Sequence, residues 1–182
     1  MAGNAFLSAD VDVTDVLKGL DALAGPIAYS LARSMGVAGG KVIRDEAIAQ
    51  CPVGLDKWYG HSKTPGLLRS SIYLAFRENA STAEKVTYGV TWNSRKAPHG
   101  HLAEFGHWQR FEVARDAQGD WYTTSIPRTE PKFVAAHPFL RPALDAKGAV
   151  AIRAMLDRAK VRLPELLAAD SELTRQGGYD EP

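Results

Sequence analysis

The amino-acid sequence predicts an α+β fold, in which helices near both ends accompany a small antiparallel sheet with an inserted hairpin. Towards both ends, apolar residues recur at offsets of three and four, which is the period of one helix face. In the middle of the chain they alternate with polar residues, as in half-buried strands. With 182 residues, of which 45% are hydrophobic, the chain can bury one core. We therefore predict a single domain over residues 1–168.

Two helices are predicted before the sheet. Apolar residues follow one helix face from Asp12 to Leu23, and Gly25-Pro26 ends that pattern. A second helix is predicted from Ile27 to Gln50, since Pro52 disfavours helical geometry at Cys51. Three glycines inside it each cost about 1 kcal/mol relative to alanine, so we expect either a kink there or another backbone that packs closely, and we favour close packing. They are Gly36, Gly39 and Gly40.

The alternating patterns predict two strands and a hairpin. Residues Leu68 to Phe76 and Lys85 to Trp92 are expected to pair antiparallel across the polar turn 78–84. Gln109 to Arg115 and Asp120 to Ser125 predict the hairpin, with Gly119 in its turn. Residues 107–136 are interpreted as an inserted hairpin and loop.

The C-terminal part predicts an irregular stretch, then a helix, then a tail. Pro127, Pro131, Pro138 and Pro142 each lack a backbone donor, which favours extended, irregular structure. A helix is expected from Ala143 to Leu163, broken at Pro164. Residues 169–182 have few apolar side chains, so we expect a flexible tail. The basic residues of the helix are interpreted as a solvated face, with contacts to phosphates or acidic partners as the alternative: Arg153, Arg158, Lys160 and Arg162.

Charge and cysteine content narrow the functional classes. The 22 Lys and Arg residues against 21 Asp and Glu give a net charge of +1, which does not favour a general polyanion binder. The single Cys51 cannot form an internal disulfide. No leader pattern is recognisable, and no apolar run approaches the roughly 20 residues of a membrane helix. We expect a protein made in a reducing cytoplasm, with no membrane segment and no cofactor.

Potential catalytic residues cluster between His99 and His107. His101 and Glu104 would share a face if this segment were helical, as metal ligands do, but the spacing to His107 does not match the zinc-protease motif. The favoured interpretation is a polar loop that runs into a structural Glu-Phe-Gly turn. A metal-dependent enzyme using His101, Glu104 and His107 stays open as an alternative. Cys51 is interpreted as a small buried residue rather than a nucleophile, because it follows a helix C-terminus.

Aromatic residues in the predicted loops and hairpin form a second group of candidates. Trp and Tyr are enriched at protein interfaces, so a contact surface is one hypothesis and core filling is the other. The residues are Trp58, Tyr59, Trp108, Trp121 and Tyr122.

Several segments together resemble a known family in order and spacing. Residues 17–23 (LKGLDAL), 42–47 (VIRDEA), 51–53 (CPV) and 64–72 (TPGLLRSSI) are individually weak matches. Residues 101–106 (HLAEFG) and 137–144 (HPFLRPAL) form a more distinctive pair. The chain resembles the tail-completion or minor tail proteins of long-tailed bacteriophages, the group that includes the minor tail protein Z of phage lambda. It departs from shorter members at 55–63 and at 107–136, where additional residues intervene.

The resemblance implies a structural virion protein of the tail neck, without enzymatic activity. Such a protein completes the head-proximal end of the tail, enables head–tail joining and assembles in the host cytoplasm. The implied partners are other copies in a ring, expected to be hexameric, and tail-terminator, tail-tube or head-closure proteins, with tape-measure protein and DNA near the lumen. The implied structural or interface residues are Glu104, Phe105, Gly106, Pro138, Phe139, Leu140, Arg141 and Pro142. A tail terminator that caps tube polymerisation is the alternative.

Overall fold

A computed structural model describes residues 25–53, 65–117 and 121–176, and within them the chain has the predicted α+β fold. The predicted helix 12–23, Trp58, Tyr59 and Gly119 lie outside the described residues. Within the described ranges, no helix combines the length and apolar character needed to cross a membrane.

Four helices and four strands make up the described part of the chain, and the strands form two separate two-stranded antiparallel sheets, β1–β2 and β3–β4. A short 3₁₀ helix, Glu78–Ala80, lies between β1 and β2. In chain order the elements are α1 (Gly25–Gln50), α2 (Leu67–Ser71), β1 (Ile72–Phe76), β2 (Tyr88–Trp92), α3 (Gly100–Phe105), β3 (His107–Arg115), β4 (Trp121–Val134) and α4 (Leu140–Gln176).

The described residues group into two compact units. Unit 1 comprises 25–43, 74–90 and 146–176, and unit 2 comprises 44–53, 65–73, 91–117 and 121–145. The single domain 1–168 stays a prediction.

Unit 1 is built on the glycine-rich face of α1. Leu31 and Met35 are buried on this helix. A Cβ atom at Gly36 would meet the ring of Tyr88, one at Gly39 would meet Met155, and one at Gly40 would meet Leu74. The three glycines therefore allow close approach, but mainly of side chains rather than of the predicted backbone, since only at Gly39 does a backbone atom, the Ala151 carbonyl oxygen, come within 3.1 Å of a Cβ position.

Unit 2 has its own core, to which the end of α1 contributes. The buried side chains include Ala47, Cys51, Leu68 and Phe139. Nη2 of Arg69 donates to the carbonyl oxygens of Ala49 and Cys51, each at 3.2 Å. A cation that binds the last carbonyls of a helix satisfies acceptors with no partner inside the helix. The predicted end of α1 at Gln50 is confirmed.

The first predicted strand is wrong over residues 68–71, which form α2. Gly66 precedes this helix with a φ of 74°, a value that glycine adopts readily. The Oγ atoms of Ser70 and Ser71 donate to the carbonyls of Leu67 and Leu68 at 3.0 and 2.7 Å. These local bonds stabilise a helical turn that the alternating pattern does not reveal.

The second predicted strand begins at Tyr88 rather than Lys85. Ser81 and Thr87 hold the preceding loop, because the Thr87 amide donates to Oγ of Ser81 at 3.0 Å and Oγ1 of Thr87 donates to the Ala80 carbonyl at 2.8 Å.

The predicted limits of the C-terminal helix are also wrong, since α4 begins at Leu140 and continues through Pro164 to Gln176. Proline removes one backbone bond from a helix, and here the ion pair from Arg162 to Glu165, at 2.7 Å, spans it. The predicted flexible tail is therefore helical over 169–176, while 177–182 lie outside the described residues.

Pro127 and Pro131 lie within β4, so the predicted irregular stretch is a strand there. β3 pairs antiparallel with β4, with His107 opposite Val134 and Arg115 opposite Trp121. The register shifts twice between these ends, and the surplus residues are on β4. Prolines occur in sheets at edges and bulges. That this hairpin is an insertion stays a prediction.

Candidate functional site

The centre of the candidate site is the carboxylate of Glu104, on α3. This side chain is 0% exposed. Its Oε2 accepts hydrogen bonds from the backbone amides of Phe139 and Leu140 at 2.8 and 3.1 Å, and Oε1 accepts from that of Arg141 at 3.4 Å. These are amides at the start of α4, which have no acceptor within the helix. A carboxylate there also interacts favourably with the positive end of the helix dipole, so Glu104 is a helix cap supplied by a distant segment.

Arg141 flanks this carboxylate on the solvent side. Its Nε lies 3.7 Å from Oε1 of Glu104, and its side chain is 54% exposed. The guanidinium also lies over the ring of Phe105, 5.1 Å from the centroid. Such a cation–π contact stabilises modestly at an exposed site. Arg141 therefore covers the junction and leaves a positive charge at the surface.

Phe139 anchors the start of α4 in the core of unit 2. It is 0% exposed and meets Trp92 edge to face, with the ring centroids 6.1 Å apart. Leu140 and Ala143 are buried beside it in sequence. Pro142 lies in the first turn of the helix, where proline's missing amide costs no internal bond.

Gly106 connects this buried junction to β3. Its φ of 72° and ψ of 173° lie in a region that is essentially restricted to glycine. A Cβ atom there would lie 2.7 Å from the Val134 carbonyl oxygen. Close by, the amide of His137 donates to the Ala103 carbonyl at 2.7 Å. Residues 101–106 and 137–144, the two distinctive segments of the sequence, thus meet through their backbones as well as through Glu104.

The structure brings most of the predicted motif together, but not all of it. Glu104, Phe105, Phe139, Leu140 and Arg141 meet directly at the junction. Pro138 is exposed just before it. The arrangement fixes a helix terminus to a turn; in this geometry both oxygens of Glu104 are directed at backbone amides.

A second candidate surface, here called the ribbon, is the β3–β4 pair. Large apolar side chains are exposed along it: Trp108 (59%), Phe111 (44%), Tyr122 (50%), Ile126 (56%) and Phe133 (50%). The rings of Trp108 and Phe133 pack at 5.2 Å between centroids. The sequence singled out Trp108 and Tyr122, whereas the side chain of Trp121 lies outside the description. It missed Phe111, Ile126 and Phe133, the last two because the prolines suggested irregular structure.

The residues considered for catalysis are Cys51 and the segment 99–107. Cys51 is buried, and that burial raises the pKa of its thiol to about 11, against the opposing charge of Arg69. Burial, and then the charge of His101, lower the pKa of His99. Among the described residues, no group of three or more His, Cys, Asp and Glu side chains is placed to hold a metal ion.

Unit 1 contributes an open groove of about 530 Å³ with a basic lining. Arg33, Lys41 and Arg158 supply the charges, and Tyr88 lines it as well. Nε of Arg158 donates to Oγ of Ser34 at 2.8 Å, and the residue is exposed, so this member of the predicted solvated face also makes a contact with α1. The sequence did not single out Arg33 or Lys41, because only the folded chain brings them close to Arg158.

Comparison with known proteins identified no matching family model, no curated relative and no solved structure.

Proposed function

We propose that this chain is a structural protein of a phage tail neck, which completes the head-proximal end of the tail and allows a filled head to join. The observation that carries the proposal is the junction at Glu104. The two segments with the most distinctive resemblance, 101–106 and 137–144, form one hydrogen-bonded unit around the buried Glu104 and Phe139. This supports the resemblance because the matching residues contact one another in the folded chain, whereas chance matches would have no reason to lie together.

The ribbon supports an assembly role. Five large apolar side chains are exposed on this one two-stranded element, and two of them, Trp108 and Phe133, pack against each other at the surface; exposed apolar side chains that cluster in this way favour contact with another protein. In the proposed role the chain acts within a ring, expected to be hexameric. Its contacts are with tail-terminator, tail-tube or head-closure proteins, and its place is the virion neck. No chemical reaction is part of this role.

Deletion of the gene from a phage that carries it, followed by electron microscopy of the lysate, tests the proposal. We expect DNA-filled heads and separate tails of normal length, with joining restored by a plasmid copy of the gene. Tails of abnormal length would instead favour a tail terminator, which caps tube polymerisation. Normal virions from the deletion strain would overturn both assignments.

The metal-enzyme alternative needs a separate measurement. Elemental analysis of the purified chain should give no stoichiometric zinc or other transition metal. A bound metal that is lost on replacing His101 with Ala would contradict the structural assignment of the 99–107 segment.

A further inference from the structure

We propose that the outer edge of β3 pairs with β3 of a second copy of this chain. The two strands run antiparallel, with the two-fold axis at Phe111, so that two ribbons form one four-stranded sheet. This inference goes beyond the proposed function and does not depend on a role in a phage.

The backbone of β3 has hydrogen-bonding groups directed away from β4. Phe111 lies opposite Pro127. In an antiparallel pair, opposed residues either exchange two hydrogen bonds or make none with each other. Proline has no amide hydrogen to donate, so this pair is of the second kind, and the amide and carbonyl of Phe111 point outward. Oγ1 of Thr124, on β4, donates to the Glu112 carbonyl at 3.0 Å, which fits the alternation.

The same alternation directs the backbone groups of Gln109 and Val113 outward. A second β3 strand placed antiparallel about Phe111 would therefore meet three bonding positions. Phe111 would bond to its own counterpart, and Gln109 would bond to Val113 of the other copy in both directions.

The two edges of the ribbon differ in how well they resist such pairing. β4 contains Pro127 and Pro131, and the surplus residues at both register shifts lie on it. Prolines and bulges are the features by which edge strands avoid pairing. β3 contains no proline over its nine residues, His107–Arg115. The ribbon is thus protected on one edge and open on the other.

The charges on β3 determine which strand pairs with it and in which register. Arg110 and Glu112 flank Phe111 and are exposed, and neither side chain makes an ion pair with any other described residue. In the two-fold pairing about Phe111, Arg110 of each copy lies opposite Glu112 of the other. Moving the axis by one residue places either Arg110 opposite Arg110 or Glu112 opposite Glu112, and like charges opposite each other are destabilising. The strand is therefore complementary to itself in one centred register.

Pairing would also stabilise the ribbon by adding two strands to it. An isolated two-stranded hairpin is marginally stable in water, whereas more strands with an apolar face are stable. The four-stranded sheet would bring the two Phe111 rings together. Because the contact uses the same patch on both copies, it differs from the head-to-tail contacts that generate a ring, and we assign it to the free protein.

Sedimentation velocity of the full chain over about 1–100 µM, a range in which modest interfaces dissociate, tests the pairing. We expect a concentration-dependent dimer. Arg110→Glu and Glu112→Arg each create two like-charge contacts per dimer, so each should raise the dissociation constant about tenfold or more. The double variant, R110E with E112R, restores opposite charges and should regain most of the affinity. Matched reversals on β4, Glu130→Arg and Lys132→Glu, should change it less than about twofold.

Cross-linking checks the register directly. Opposed residues of a bonded antiparallel pair have Cα atoms about 5.5 Å apart, within the range of a disulfide. Phe111→Cys should therefore give a disulfide-linked dimer under mild oxidation. Ile126→Cys, at an exposed position on β4, should not. A chain that stays monomeric at 100 µM, a dimer insensitive to both charge reversals, or a double variant no better than the single ones would overturn the proposal.

Discussion

The junction at Glu104 and the ribbon adjoin each other in the sequence, at Gly106, yet they differ completely in burial. Glu104 and Phe139 are both 0% exposed, whereas Trp108 and Ile126 are 59% and 56% exposed. At the junction a carboxylate has backbone partners on both oxygens, while on the ribbon large apolar side chains face solvent. The residues that carry the resemblance therefore build the fold, and the surface suited to contacts lies beside them.

The largest expected effect comes from replacing Phe139 with alanine. Its ring is fully buried against Trp92, and truncating a buried Phe typically costs about 3–5 kcal/mol of stability. Urea unfolding followed by circular dichroism measures this loss. Phe133→Ala on the ribbon is the matched control, with an expected loss below about 1 kcal/mol, since its ring is half exposed. Equal losses at the two positions would contradict the comparison.

Glu104→Ala should have the next largest effect. It leaves three backbone amides at the start of α4 without their acceptor, and unpaired buried groups cost about 1–3 kcal/mol each. Partial access of water to the Arg141 amide reduces the sum, so we expect a loss of about 3 kcal/mol in urea unfolding. Glu104→Gln keeps an acceptor oxygen and should lose less.

The control for Glu104→Ala is Glu130→Ala, at an exposed position on β4, for which we expect the free energy of unfolding to change by less than about 0.5 kcal/mol. If Glu104→Ala were as mild as Glu130→Ala, the hydrogen bonds from α4 would not stabilise the folded chain.

The connection between the two regions can be tested by a pair of glycine substitutions with opposite expected signs. Gly106→Ala forces a side chain into a conformation that is essentially restricted to glycine and against the Val134 carbonyl, at a cost of about 1–3 kcal/mol. Gly148 lies within α4, with open space around it. Gly148→Ala should therefore stabilise by up to about 1 kcal/mol. Thermal melts of both variants measure the difference, and a neutral Gly106→Ala would show that the connection is not constrained.

The elements that the sequence predicts well are those governed by local pattern. The period of apolar residues and the position of Pro52 are sufficient for α1 and its end at Gln50. α2 depends on one glycine torsion and two serine hydroxyls, which leave no periodic signal. Pro164 argues against helix locally, but α4 continues through it, which the local pattern does not reveal.

The candidate site shows the same division. Motif resemblance singles out Glu104 and Phe139, but not the particular amides that the carboxylate binds, which depend on contacts between residues 35 to 37 positions apart. The open edge of β3 is invisible in the sequence, because the outward direction of the Phe111 amide depends on its register with Pro127. Local pattern predicts the elements, whereas non-local register determines which groups remain available.

The last prediction concerns Cys51, where labelling of the thiol measures burial directly and the expected effect on the fold is the smallest. Burial raises the pKa of its thiol from the ordinary 9.0 to about 11, so at pH 8 its thiolate fraction is about 100-fold lower than that of an unperturbed thiol. Labelling of Cys51 by a thiol reagent should be slower than labelling of Ile126→Cys on the ribbon by at least this factor, and should become fast in urea.

The same pKa shift makes stability depend on pH. Because the folded thiol keeps its proton to higher pH than the unfolded one, its contribution to stability is complete below pH 9.0 and is lost as the pH rises towards 11. Cys51→Ala should remove that part of the alkaline loss, and equal labelling rates at the two positions would contradict the burial of Cys51.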